Sequence, residues 1–348
     1  MKKYILFFAI VIAAVFTSCT NDEIEVSHGI SIKVDPSGVI APFTYEITAG
    51  ELESFSTSYK LRTRVMVYDD KGLLAAADTA YLTNYAGLMN ASLFIPEGSY
   101  TLLAITDVVE RKNDVISLQF WNMTGEQDIN TLKISDAGYI GGKNKILGVA
   151  SQKVTVTSST ESFTLRPQVA GALLLIEYLN IHQFSDVTEY KFQSNRACDF
   201  LTFNSSGQYI TTPENQNNQY NWRCSYITPQ ENSFTNINST YRWSFSFPMN
   251  NVSYRYVYST SSVSNEAITP DLTVSLSAGD EYAFILDLCD EDYNNGITYY
   301  YGKVNGTSSS PKRSQQARDV MPNSTKTAPS TPVESIRVLD LLEALNVE

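Results

Sequence analysis

Along most of this chain, apolar and polar residues alternate in short runs that stop at Gly, Pro, Asn or Ser. A period of two sends successive side chains to opposite faces of an extended backbone, so the pattern predicts strands. Ile30-Ser31-Ile32-Lys33-Val34 alternates and ends at the turn Asp35-Pro36-Ser37-Gly38. In LRTRVMVYDDKGLL, Leu61, Val65 and Val67 share a strand face, and Asp69-Asp70-Lys71-Gly72 turns the chain. Ser92 to Ile95, Pro96-Glu97-Gly98 and Ser99 to Ile105 form a strand, a tight reversal and a second strand. Pro presets φ at such a reversal and Gly accepts positive φ just after it. These units predict a first antiparallel β-sandwich over residues 29–158, with the boundary at Ser158-Ser159-Thr160.

A second β-sandwich is expected over 159–304, giving an all-β chain. The apolar run Ala172 to Tyr178 suits a strand buried on both faces, with a helix over Val169 to Leu179 as the competing reading. Tyr241, Trp243, Phe245 and Phe247 alternate with polar residues, as do Val252, Tyr254, Tyr256 and Tyr258 after Pro248-Met249-Asn250-Asn251. This reads as a hairpin with one aromatic face. Tyr282, Phe284, Leu286 and Leu288 pair by the same logic with Ile297, Tyr299 and Tyr301 across an acidic loop. Residues 305–332 are rich in Ser, Thr, Pro, Gln and Lys and read as a low-complexity linker. In 333–348, Val338, Leu341, Leu342 and Leu345 have the spacing of a short amphipathic helix.

The start of the chain departs from this texture. Lys2 and Lys3 precede an apolar run from Tyr4 to Phe16, then Thr17-Ser18-Cys19 and the acidic Asn21-Asp22-Glu23. A charged start, a short apolar core and small residues before a cut site make a secretory signal. The run falls short of the roughly 20 apolar residues that a spanning helix needs. It resembles a bacterial lipoprotein signal over residues 1–18, with Cys19 as the lipid-bearing first residue and 19–28 as a tether. An ordinary secretory signal that ends near a cysteine is the alternative. On the lipoprotein reading the protein is exported and held to a membrane by lipid.

With 348 residues, 43% hydrophobic and 18% charged, the chain can fill real cores. Its net charge of -12 becomes more negative once Lys2 and Lys3 leave. That argues against binding nucleic acid through clustered Lys and Arg, and against electrostatic docking on anionic lipid, so that acyl chains would have to hold the protein. Beyond Cys19 the cysteines are Cys198, Cys224 and Cys289, an odd number. Cys198–Cys224 is the pairing to test, against three thiols that never pair. No spacing suits zinc, and no cofactor is implied.

Little of the sequence suggests catalysis. The chain has only His28 and His182, and no GxSxG, HExxH or P-loop pattern, so a non-enzymatic role is expected. Asp290-Glu291-Asp292-Tyr293-Asn294-Asn295-Gly296 partly resembles a calcium loop, but its Gly comes one place late and Tyr301 stands where a Glu should close it. An acidic hairpin turn explains it more simply. Asp78-Thr79-Ala80 resembles a short O-glycosylation signal. Trp243, Tyr254 and Tyr256 could form a glycan-stacking platform, but the core of the second sandwich is the favoured reading, because alternating aromatics are what a half-buried strand requires.

The order of the lipoprotein leader, LRTRVMVYDDKG, IPEGSYTLLAI and NKILGVASQKVTVTSSTESFTLRPQVAGALLLI is similar to the fimbrillin-like lipoproteins of the Bacteroidales. The resemblance spans roughly residues 1–180. It implies two transthyretin-like antiparallel sandwiches and a role as fimbrial subunit, anchor or accessory protein. It also implies assembly by strand addition between subunits. Shaft subunits of that family are cut after an arginine, which makes Arg62 and Arg64 the candidate processing positions. Both fall in a strand expected to be core, and an uncut chain stays lipid-linked, as an anchor does. The acidic residues after Cys19 resemble surface-export signals, implying the outer leaflet of the outer membrane. A glycan-capturing lipoprotein of a nutrient system is the alternative.

Overall fold

The computed structural model describes residues 27–43, 58–138, 142–159, 162–181, 187–211, 219–226, 239–290, 296–304 and 312–316. The leader with Cys19, His182, the loop 291–295 and the expected C-terminal helix lie outside them. The described chain is all-β. Its strands are numbered β1 to β23 in chain order and form five sheets.

An outer sheet has the order β10 (Ser162–Leu165), β1 (His28–Val34), β4 (Met89–Ile95). β1 runs parallel to β10 and antiparallel to β4. It faces a middle sheet ordered β11 (Gln168–Val169), β9 (Leu147–Val156), β5 (Gly98–Lys112), β2 (Tyr59–Tyr68), β3 (Leu74–Leu82), with β6 (Val115–Gln119) also paired to β5. The Pro96–Gly98 reversal therefore carries the chain from one sheet to the facing one. β10 and β11 lie past the expected boundary at 158–160 and complete these first two sheets.

The alternation read in the sequence is the packing between those sheets. Ile30, Ile32 and Val34 of β1 and Met89, Ala91, Leu93 and Ile95 of β4 meet Val65, Val67, Leu102, Ala104, Val154 and Val156. The middle sheet is covered on its other face too, so β5 is buried without interruption from Tyr100 to Val109. A strand buried on both faces loses its alternation and reads as a continuous apolar run.

The second sandwich begins after Gly171. A Cβ on Gly171 would lie 2.5 Å from the Ser246 carbonyl oxygen and 2.6 Å from the Phe245 ring, so only glycine fits this crossing. β12 (Ala172–Leu179) is buried along its whole length, as expected for a central strand. Its sheet has the order β17 (Ser239–Ser246), β12, β21 (Glu281–Asp290), β22 (Gly296–Lys303), β23 (Lys312–Gln316). The facing sheet is β16 (Asn221–Tyr226), β13 (Val187–Asn195), β18 (Met249–Thr260), β19 (Glu266–Ala267), with β20 (Leu272–Leu276) also on β18. The expected β21–β22 hairpin is present.

The expected hairpin of Tyr241–Phe247 with Val252–Tyr258 is not. β17 pairs with β12 and β18 with β13, so Phe247-Pro248 crosses between facing sheets. The two arms oppose each other across the core instead of lying side by side.

A fifth sheet, β15 (Tyr209–Ile210), β14 (Phe200–Phe203), β8 (Lys133–Asp136), β7 (Trp121–Thr124), takes two strands from each half of the chain. Trp121 packs edge-on to Phe245 (5.4 Å between centroids) and against Phe247 (5.0 Å). One hydrophobic cluster consequently runs from the middle sheet through this joint into the second sandwich.

Candidate strand-addition site

Three features bear on assembly by strands. The first is the seat of β1. All seven of its residues have a partner on β4, and Ser31 to Val34 have partners on β10 as well. His28, at its start, faces Glu97 (3.3 Å). At its end Asp35 accepts the Ser37 amide hydrogen bond (3.1 Å) and stops the strand in a short 3-10 turn, Pro36–Val39. Hydrogen bonding to Ser37 holds the Asp35 carboxyl below its usual range against a smaller opposing effect of burial, with Arg166 assisting.

The second is β2, which holds both candidate processing arginines. Arg62 is 1% exposed and forks onto Asp107 of the neighbouring β5, Nε to Oδ1 at 2.8 Å and NH2 to Oδ2 at 2.6 Å. Its third contact is Gln119 Oε1 at 3.3 Å. Burial works against the guanidinium charge, but the Asp107 carboxylate outweighs it and holds the pKa above the usual arginine value. Arg64 reaches Glu126 (3.2 Å) and the Met123 sulfur (3.4 Å). Because β2 is laddered to β3 on one side and β5 on the other, its backbone is closed to a protease in the folded chain. Asp107 was not singled out in the sequence. It is the only charged residue between Thr101 and Val109, and a lone carboxylate in an apolar strand signals a buried partner.

The third is the edge formed by β3. Its turn with β2 is set by Asp69, whose Oδ1 accepts from the amides of Lys71 (3.0 Å) and Leu73 (2.8 Å), with Gly72 at φ +86°. Among the described residues β3 is laddered only to β2. Loop 125–131 covers its first residue, since Leu74 N–H donates to the Gln127 carbonyl (3.0 Å). From Ala75 on, no described residue is laddered to the outer side, and Ala75, Ala77, Asp78 and Thr79 are exposed. Asp78 Oδ1 accepts from the Thr79 amide (2.8 Å).

The proposed sugar platform is not available. Trp243 is 5% exposed, and Tyr254 and Tyr256 are fully buried. Phe192, Tyr254 and Phe284 pack with centroids 5.0–5.2 Å apart. The Tyr254 hydroxyl reaches Ser246 Oγ (3.2 Å), and the Tyr256 hydroxyl donates to the Glu177 carbonyl (3.1 Å). These rings fill the space between the sheets, where a sugar has no access.

Cys198 is buried and its thiol donates to the Phe200 carbonyl (3.0 Å); the Cys224 side chain lies outside the described set. Lys145 forms a short ion pair with Asp136 near the Trp121 ring, and burial pulls its pKa down despite that carboxylate. Among the described residues no three His, Cys, Asp or Glu side chains are grouped to hold a metal ion, and no helix is long and apolar enough to cross a membrane.

No known family model matches the chain, and no curated protein matches it. Solved structures do. A "putative adhesin" from Bacteroides ovatus is 10% identical, covering 86% of this chain and 98% of its own, with a TM-score of 0.47. "Putative polysaccharide binding proteins" from Bacteroides thetaiotaomicron give 11% identity, 79% and 95% coverage and a TM-score of 0.46. The fimbrial anchor protein Mfa2 from Porphyromonas gingivalis gives 10% identity, 80% and 98% coverage and a TM-score of 0.42.

Proposed function

We propose that this protein is a lipid-anchored cell-surface protein, held at Cys19 in the outer membrane, that acts as a fimbrial subunit, anchor or accessory protein in adhesion. The role is non-catalytic, and partners join by strand addition. The observation that carries this reading is the placement of Arg62. It lies inside the laddered β2 and is forked onto the buried Asp107, so the intact fold resists a cut there. An uncut chain keeps its N-terminal lipid, and β1, the first strand after the tether, stays seated between β10 and β4.

The test is a pull-down of the detergent-solubilised, lipidated protein from its own cells, with mass spectrometry of the protein and its partners. The expected result is a mature N-terminus at a lipidated Cys19, an intact β2 and co-purified subunits of similar two-sandwich pattern. A chain that begins after Arg62 or Arg64 would replace the anchor role with that of a processed shaft subunit. Recovery with a transporter and glycan-processing proteins, and no such subunits, would overturn the fimbrial reading.

A further inference from the structure

The open side of β3 presents a row of backbone donors and acceptors that only another extended polypeptide can match in spacing and direction. Soluble proteins blunt such edges with lysines, prolines or bulges. The sequence Leu74–Leu82, LAAADTAYL, has no Lys, Arg or Pro, and its outer positions are small. The single register shift against β2 falls at the start of the strand, between Val67 and Tyr68, leaving the remainder regular.

One residue restricts this edge. Asp78 is the only charged side chain on β3 and stands at its midpoint. Its carboxylate occupies the Thr79 amide, a donor that an incoming strand must engage. A cation on that strand, placed opposite Asp78, draws the carboxylate off the amide and frees the donor for the ladder. A neutral or acidic segment meets the carboxylate in place.

The same rule excludes two occupants from within this protein. Full antiparallel overlap of β3 with the β3 of a second copy sets Asp78 against Asp78, and like charges directly opposite destabilise a sheet. Residues 44–57 carry Glu46, Glu51 and Glu53 and no Lys or Arg, so they also bring the wrong charge.

We infer that the β3 edge from Ala75 to Leu82 is a strand-acceptor site for an extended segment of another polypeptide chain that carries a Lys or Arg opposite Asp78. Small side chains on β3 leave the incoming strand's own side chains to determine fit, and the charge at position 78 sets partner and register. This rests on the strand-addition reading above and names the edge and the chemistry of its partner.

The experiment measures binding of capped nine-residue probe peptides, alternating Thr and Val, with either Lys or Glu at the centre. The proteins are the full mature chain and its Asp78→Lys and Asp78→Ala variants. The Lys peptide is expected to bind the native chain about tenfold more tightly than the Glu peptide, as opposite and like charges across a strand pair differ. Asp78→Lys should reverse that order and Asp78→Ala should erase it. Position 78 is exposed, so the variants are expected to fold, which far-ultraviolet circular dichroism checks. Equal binding of both peptides, a preference unchanged in Asp78→Lys, or no binding by either peptide would overturn the inference. If fimbrial subunits co-purify while the peptides fail, this edge is wrong and the assembly role stands. If the peptides behave as expected and no such subunits co-purify, the edge stands and the fimbrial partner is wrong.

Discussion

The two sandwiches exclude water with different chemistry. Between the outer and middle sheets the core is aliphatic, from Ile30, Ile32 and Val34 to Val154 and Val156, with Tyr100 and the rim residue Phe163 as its aromatics. Between the sheets of the second sandwich, Tyr178, Tyr190, Phe192, Tyr254, Tyr256 and Phe284 pack ring on ring at centroid separations of 4.9–6.1 Å. Aliphatic branches interdigitate in many ways, and cores of this kind tolerate substitution when volume is kept. Rings prefer edge-to-face or offset geometry, and Tyr254 and Tyr256 also place their hydroxyls on Ser246 Oγ and the Glu177 carbonyl. The first core is thus held by interchangeable aliphatic contacts, and the second by a fixed set of ring contacts.

The largest expected effects probe that contrast directly. Phe284→Ala removes the ring shared by Phe192 and Tyr254 and should cost about 4 kcal/mol, whereas Ile32→Val at the centre of β1 should cost only about 1 kcal/mol. Denaturant midpoints measure both, and because Phe→Ala deletes far more volume than Ile→Val, it is a Phe284→Ala loss well below about 3 kcal/mol that would remove the ring's special place in the second core. Next, Arg62→Ala strands Asp107 in the middle sheet and should cost about 3 kcal/mol, because it leaves a buried charge without its partner. The aliphatic sandwich would then depend on one polar pair, and Arg62→Ala/Asp107→Ala should be less destabilised than the sum of the single variants.

Alkaline pH should act on both halves of the chain, since burial also raises the pKa of Tyr68 and Tyr85 in the first half. Burial raises the pKa of Tyr190 and Tyr254. The unfolded chain gives up those protons first, so their stabilisation is full below about pH 10 and is lost as pH rises further, at about 1.4 kcal/mol per unit for each fully shifted tyrosine. Unfolding followed between pH 8 and 11 should show that loss, and Tyr190→Phe should reduce it. The smallest effect is Tyr256→Phe, about 1 kcal/mol for the hydroxyl bond to the Glu177 carbonyl. A neutral result there would mean that ring packing alone specifies the second core.

Much of the fold could be read from local pattern. β1, β2, β4 and β12 lie where alternation or an unbroken apolar run put them, since burial on one face or two writes directly into residue order. Partner choice is not written there. β17 and β18 show the same period of two whether they pair with each other or face each other across a core. What separates the cases is that Phe247-Pro248 leads from one sheet to the other, a fact of three dimensions. Alternation at Trp243, Tyr254 and Tyr256 is the same whether they line one hairpin face or oppose each other across a core, and burial places them in the core. The β3 edge was half visible. LRTRVMVYDDKGLL announced the β2–β3 turn, but which strand would end a sheet depends on where later strands dock.

The seat of β1 has a mechanical consequence. A pull applied just ahead of His28, directed along the strand, loads the ladder to β4 and the ladder to β10 in shear, so many backbone bonds must yield together. Peeling from one end would break them one at a time under far less force. A pull at this end is therefore met by two ladders at once in β1, whereas β3, laddered on one side only among the described residues, lies in the facing sheet.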